Sequence, residues 1–224
     1  MELTLDRDGA QLFPKLISRD LLADLVSILS VRPGRAGVRI SGNPQLFNWI
    51  VQDSPLGKLS GSLLGTEAQP VRAILFNKSP EANWALGWHQ DRTIAVSEGL
   101  EVEGYANWTL KAGATYVEPP FALLQRMITA RVHLDEVGAE NGPLSIVTGS
   151  HRLGRLIESE IDRVVEGGAK VTCLASVGDV WLYATPILHA SEASRRPTSR
   201  RVLQIDFCAE QLPGGLRWAG IGVA

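Results

Sequence analysis

Residues 127–149, MITARVHLDEVGAENGPLSIVTG, carry two runs rich in Val, Ile, Leu and Thr on either side of the turn signal ENGP. Similar runs recur outward from it: VRAILFNK (71–78), WHQDRTIAV (88–96), AKVTCLAS (169–176), DVWLYATPILHAS (179–191) and RRVLQIDFCAE (200–210). Turn signals such as GS and VGD separate them. Many short strands in the last two-thirds of the chain, with few helices between them, predict an antiparallel sandwich or jelly roll rather than a parallel α/β sheet. Two segments read as helices. In SRDLLADLVSIL, Ser18 can cap and Leu21, Leu22, Leu25, Val26 and Leu29 form one stripe; ESEIDRVVEGG is stopped by Gly167.

The 224 residues, 45% of them apolar, fit one core, so residues 1–224 are read as a single domain. A formal charge of −2 and the lack of a basic block argue against a nucleic-acid surface, and a small-molecule partner is expected. No run approaches the roughly 20 apolar residues that cross a bilayer. The N-terminus does not read as a secretory signal. Cys173 and Cys208 lack C-x-x-C spacing, which argues against a disulfide framework or zinc site and fits a reducing cytoplasm. Oligomeric state is not readable.

In LGWHQDRTIAV (86–96), His89 and Asp91 are two apart in a strand-like run, so alternation points both to one side while Gln90 faces away. A third ligand could come from His189, a hundred residues further on, which only a fold joining distant strands can deliver. Two imidazoles and one carboxylate on one face of a metal form the facial triad of non-haem Fe(II) oxygenases. H-x-D alone is also met as a satisfied polar pair. After His189 comes ASEASRRPTSRRVLQIDF, where a strand guanidinium could hold the far carboxylate of 2-oxoglutarate. Arg200 and Arg201 point to opposite faces, and either could instead be a solvated edge charge.

ILFNKSP, WHQD, RVHLDEVGAENGPLSIVTGSHRLGRL, VGDVWLYATPILHAS and RRVLQIDF, from about Val71 to Phe207, resemble the phytanoyl-CoA dioxygenase family in order and spacing. The resemblance implies a mainly β fold, a double-stranded β-helix (jelly roll, cupin-like) with flanking N-terminal helices. It implies an Fe(II)/2-oxoglutarate-dependent dioxygenase that uses O2, hydroxylates a small molecule and releases succinate and CO2. By the same resemblance His89, Asp91 and His189 ligate the iron, Arg200 pairs with the C5 carboxylate of 2-oxoglutarate, and Ser191 donates a hydroxyl to it. Arg131 stands where relatives can place an aromatic residue beside the cosubstrate, and contacts either 2-oxoglutarate or an acidic substrate group. Ile74 is an apolar wall, Asn77 is off its parity, His133 shares the face of Arg131, and His151 ties down a turn. Asp91 fills the position that a halogenating relative leaves for chloride, which favours hydroxylation.

The chain departs from the family by an insertion, SEGLEVEGYANWTLKAGATYVEPPFALLQ (97–125), read either as a mobile aromatic lid or as a packed surface excursion. Trp88, Arg92 and Trp108 are the expected substrate contacts. No feature marks an acyl-CoA site. Two rival readings are a non-catalytic jelly roll that binds a metabolite and a cupin-like enzyme using another divalent metal.

Overall fold

A computed structural model describes residues 2–29, 34–51, 54–111, 113–195 and 199–222. Its largest sheet has six antiparallel strands in the order β1 (Ala10–Phe13), β11 (Val180–Ala184), β8 (Ile128–His133), β13 (Arg200–Cys208), β3 (Gln69–Lys78), β2 (Gly37–Ile40). A four-stranded sheet runs β10 (Lys170–Cys173), β9 (Leu144–Val147), β12 (His189–Ser191), β4 (Leu86–His89). Neighbours far apart in sequence, such as β13 beside β3, make this the double-stranded jelly roll expected from the strand runs.

Alternation along the large sheet separates two environments. Ile128, Ala130, Val132, Val180, Leu182, Leu203, Ile205 and Phe207 face a core completed by Leu25, Leu46, Ile50 and Leu56. These last come from α2 (Arg19–Ile28), α3 (Pro44–Val51) and α4 (Pro55–Leu64), which cover the outer face. Each fully buried Leu or Ile there contributes roughly 1.5–3 kcal/mol relative to exposure. Ser18 caps α2 as read, its Oγ accepting from the Leu21 N–H at 3.3 Å. The remaining helices are α1 (Leu5–Asp8), α5 (Phe121–Leu124) and α6 (Glu158–Gly167). Among the described residues, no helix is long and apolar enough to cross a membrane.

Two runs that read as single strands each divide between sheets. WHQDRTIAV breaks after His89, and its second half becomes β5 (Ile94–Val96). DVWLYATPILHAS breaks over Thr185–Leu188, carrying the chain from β11 to β12. The insertion, read as a mobile aromatic lid or a packed surface excursion, is packed. It contributes β6 (Ala106–Lys111) and β7 (Ala114–Glu118), which join β5 in a three-stranded sheet, and α5. Val96, Val117, Leu123, Leu124 and Met127 bury a core of their own beneath it, with Tyr105 and Trp108 packed against them. Apolar side chains spaced for contact were legible there; the hairpin that uses them was not.

Candidate functional site

The inner face of the large sheet is polar for a surface this buried. Register sets its side chains in rows: Lys78 opposite Arg200; Gly37, Phe76, Val202 and His133; Arg39, Ile74, Gln204 and Arg131; then Arg72, Asp206 and Thr129. Facing them, β12 and β4 are neighbours, and His189 lies directly opposite His89 with ring centroids 4.3 Å apart. Ligand atoms of His89, Asp91 and His189 all fall within 4.8 Å of one another.

Both imidazoles are set by the backbone. Nδ1 of His89 lies 2.7 Å from the Gly87 carbonyl, and Nδ1 of His189 lies 2.9 Å from that of Ile187. A carbonyl only accepts, so each Nδ1 carries the proton and each Nε2 keeps its lone pair for a metal. Burial and the neighbouring His89 push His189 down to about 4, which keeps it neutral at ordinary pH. Burial opposes the charge of Asp91, but Arg72 and the two histidines outweigh it, and the carboxyl sits below its usual range. Arg72 Nη2 donates to Asp91 Oδ2 at 3.0 Å, while its Nε donates to Asp206, leaving Asp91 Oδ1 for a metal. Two imidazoles and one carboxylate oxygen on one face suit a divalent first-row ion.

Asp91 does not reach this point by strand alternation, because β4 ends at His89. Gln90 makes the turn instead. Its Nε2 donates to the carbonyls of Gly154 at 3.0 Å and Pro186 at 2.9 Å, and its Oε1 accepts from the Leu156 N–H at 3.0 Å. The residue between the ligands faces away, as read, and there it anchors two loops.

A cavity of about 450 Å³ between the sheets runs from this triad to Arg200. At its far end the carbonyl of Gly142 accepts from Ser191 Oγ at 3.1 Å, from Lys78 Nζ at 3.4 Å and from Arg200. Lys78 also donates to Ser191 Oγ at 2.9 Å. Gly142 has φ +69°, and a Cβ there would fall 2.6 Å from both Lys78 Nζ and the Glu192 carbonyl. Only glycine lets the turn ENGP approach so closely. Burial, then Arg200 and Arg131, push Lys78 down to about 8. Arg200 is 2% exposed, whereas Arg201 points away and pairs with Asp135 at 2.7 Å.

Ile74 and Arg131 line the cavity. Arg131 donates from Nη1 to Gln204 at 2.9 Å and stacks over Phe76 at 5.3 Å, while its Nε has no partner. His133 shares its face but is sealed at 3% exposure outside the cavity lining, with neither ring nitrogen bonded. Asn77 turns from the cavity, and His151 lies against Gly9.

The three expected substrate contacts do not line this cavity. Trp88 packs with Leu156, Ile161 and Leu188 beside α6. Arg92 donates to the Leu156 carbonyl. Trp108 packs under the β5–β7–β6 sheet and borders a separate shallow groove. Their sequence neighbourhood suggested proximity to the triad. Trp88 precedes the break and takes the face of β4 opposite to His89, Arg92 follows the break, and Trp108 belongs to the insertion's hairpin. Arg72, Phe76, Lys78 and Gln204 were missed, although three of them keep the parity of Ile74 along β3, a signal present in the sequence.

The sequence model for the phytanoyl-CoA dioxygenase (PhyH) family matches residues 50–202. No curated protein matches the chain by sequence. Among solved structures, AviO1 from Streptomyces viridochromogenes Tue57 is 20% identical with a TM-score of 0.65, covering 94% of this chain and 92% of its own. EctD from S. alaskensis, solved with 2-oxoglutarate and 5-hydroxyectoine, is 18% identical with a TM-score of 0.66, covering 91% and 73%. The epimerase SnoN, solved with Fe3+, alpha ketoglutarate and nogalamycin RO, is 16% identical with a TM-score of 0.63, covering 94% and 88%. At these identities the likeness is one of fold.

Proposed function

Because the chain belongs to the phytanoyl-CoA dioxygenase family, we propose that it is an Fe(II)- and 2-oxoglutarate-dependent oxygenase that hydroxylates a small molecule. The observation that carries this reading is the presence, in one cavity, of the His89–Asp91–His189 group and the Arg200–Ser191–Lys78 cluster. One end suits a metal and the other a carboxylate, as a keto diacid bound to that metal requires. SnoN and EctD, which share the fold, were solved with such a keto acid.

Loaded with iron and 2-oxoglutarate, such a centre couples oxidative decarboxylation of the keto acid by O2, giving succinate and CO2, to hydroxylation of a substrate C–H bond. The protein's own contribution is orientation and enclosure. His89 and His189 present Nε2 because backbone carbonyls hold Nδ1. Arg72 holds one oxygen of Asp91 and so turns the other to the metal. Ile74 and Phe76 supply the apolar flank of the cosubstrate, and Arg131 a third positive charge beside it. Arg200, held through Nε and Nη2 by the carbonyls of Asn141 and Gly142, presents its outer Nη edge to the distal carboxylate, and Ser191 donates its hydroxyl there by turning it from the Gly142 carbonyl. Having Asp91 in the triad supports oxygen insertion over halide transfer.

The test is succinate formation from 2-oxoglutarate, O2 and Fe(II) by the purified chain, with a metabolite screen for products heavier by one oxygen. Arg200→Ala should weaken 2-oxoglutarate binding by at least tenfold. An enzyme using another metal without the keto acid would keep its activity in that variant, and a non-catalytic binder would form no succinate.

A further inference from the structure

We infer that Arg39 and Lys111 form an anion site at the rim of the cavity, and that the substrate carries a carboxylate or phosphate group on an apolar body. The inference rests on the oxygenase reading and deepens it by naming a substrate class.

The argument begins with charge. The whole chain has a formal charge of −2, yet Arg39, Arg72, Lys78, Lys111, Arg131 and Arg200 all line one cavity. Among its described lining residues Asp91 is the one carboxylate. Assigning partners uses up most of these cations. Arg72 is spent on Asp91 and Asp206. Lys78, Arg131 and Arg200 stand around the cosubstrate, a dianion. Arg39 and Lys111 remain, and no acidic group among the described residues pairs with either. A low-dielectric cavity carrying this excess attracts and orients anions.

Geometry supports the same assignment. Arg39 lies on the edge strand β2, in the row of Ile74 and Gln204, one row from Arg72 and the metal ligand that Arg72 holds. Its Nε donates to the Tyr116 hydroxyl at 2.5 Å, and its guanidinium lies 5.1 Å from that ring, so the side chain is fixed while both Nη groups lack a partner among the described residues. Such a fork is prepared for bidentate capture of an oxyanion. Lys111 ends β6, so the insertion brings a second cation to the same rim. Gly37, beside Arg39 on β2, has no side chain to fill the space in front of Phe76. Trp84 and Leu86 line the cavity as well, Leu86 with half its surface exposed, and offer an apolar wall for the rest of the molecule.

The experiment titrates the chain loaded with Zn(II) and 2-oxoglutarate, which cannot turn over, with benzoate, phenyl phosphate and neutral benzamide by calorimetry. We expect at least one anion to bind with an affinity that falls with salt, and benzamide not to bind. The stronger of the two anions identifies the group. Arg39→Gln and Lys111→Gln should each weaken that anion at least tenfold while changing 2-oxoglutarate affinity less than twofold. Benzamide binding as well as benzoate, no anion binding to the wild type, or unchanged anion affinity in both variants would overturn the site. Failure of the oxygenase reading shows separately, as absent 2-oxoglutarate binding before any probe is added; the same anion titration of the metal-free chain and Arg39→Gln then decides the rim site.

Discussion

Arg72 donates through Nη2 to Oδ2 of Asp91 at 3.0 Å, and it does so while its Nε is held by the buried carboxylate of Asp206. Asp206 in turn accepts from Thr129 Oγ1 at 3.0 Å, so the chain of contacts runs from a sheet interior to a metal ligand. Arg72→Gln should therefore act on two readouts. Metal affinity falls about 10–100-fold, the usual cost of losing a partner behind a ligand. Stability falls by about 3–5 kcal/mol, because Asp206 is left buried without its cation. Anaerobic metal titration and urea unfolding of the metal-free protein measure the two separately.

His133 should be dispensable to binding and costly to stability at low pH. Burial, then Arg131 and Arg200, push it down to about 3, and neither ring nitrogen has a partner. With the folded value below the unfolded one near 6.5, its contribution is complete above pH 6.5 and is lost as pH falls toward 3. His133→Leu, which fits an apolar side chain into the same space, should raise stability by about 1–3 kcal/mol by removing unsatisfied polar atoms. It should also flatten the pH dependence between 6.5 and 3 relative to the wild type, as read by unfolding across that range.

Lys78 makes 2-oxoglutarate binding sensitive on the alkaline side. Its ammonium, held down to about 8, loses its charge as pH rises through that value, and the cluster around the distal carboxylate weakens. Affinity should drop about five- to tenfold from pH 7 to pH 9.5, the difference between a charge-assisted and a neutral hydrogen bond. In Lys78→Met the drop should vanish. For folding, the sign is opposite: the unfolded chain holds more protons between pH 8 and 10.5, so neutralisation of this lysine raises stability with pH.

Gly142→Ala tests the turn that gathers the cationic cluster. A Cβ 2.6 Å from Lys78 Nζ and the Glu192 carbonyl, on a residue at φ +69°, forces the carbonyl of residue 142 away from Lys78, Ser191 and Arg200. We expect a loss of about 1–3 kcal/mol in stability and weaker 2-oxoglutarate binding with metal affinity unchanged, read by thermal unfolding and calorimetry.

Strand-forming runs and their parity made the jelly roll legible, since a half-buried sheet imposes a period of two on its sequence. Ile74 and Arg131 were placed at the site by the family resemblance, and alternation then set Asn77 off their face and His133 on it. The two undivided runs escaped for different reasons. WHQDRTIAV has no glycine, asparagine or proline where it breaks, so propensity carries it across a point where the chain changes sheets, whereas DVWLYATPILHAS holds Pro186 at its break, a signal present in the sequence. Long-range bonds from Gln90 to Gly154, Pro186 and Leu156 set the first break, and no local pattern announces such partners. That break also explains why Arg92 lies outside the cavity, whereas Trp88 lies outside it because it alternates with His89 on β4. The helices α3 and α4 carried readable signals: Asn43 and Ser54 each precede a proline, and each side chain accepts from the backbone three residues on. Their short stripes were less evident than that of α2.

The most direct measurement is anaerobic calorimetry of Fe(II) and then 2-oxoglutarate binding to the wild type, His189→Ala and Asp91→Ala. The account predicts one metal per wild-type chain and keto-acid binding that depends on it, with both weakened at least a hundredfold in either variant. Unchanged metal binding in both variants would contradict the convergence of residues 89, 91 and 189 on a single ion.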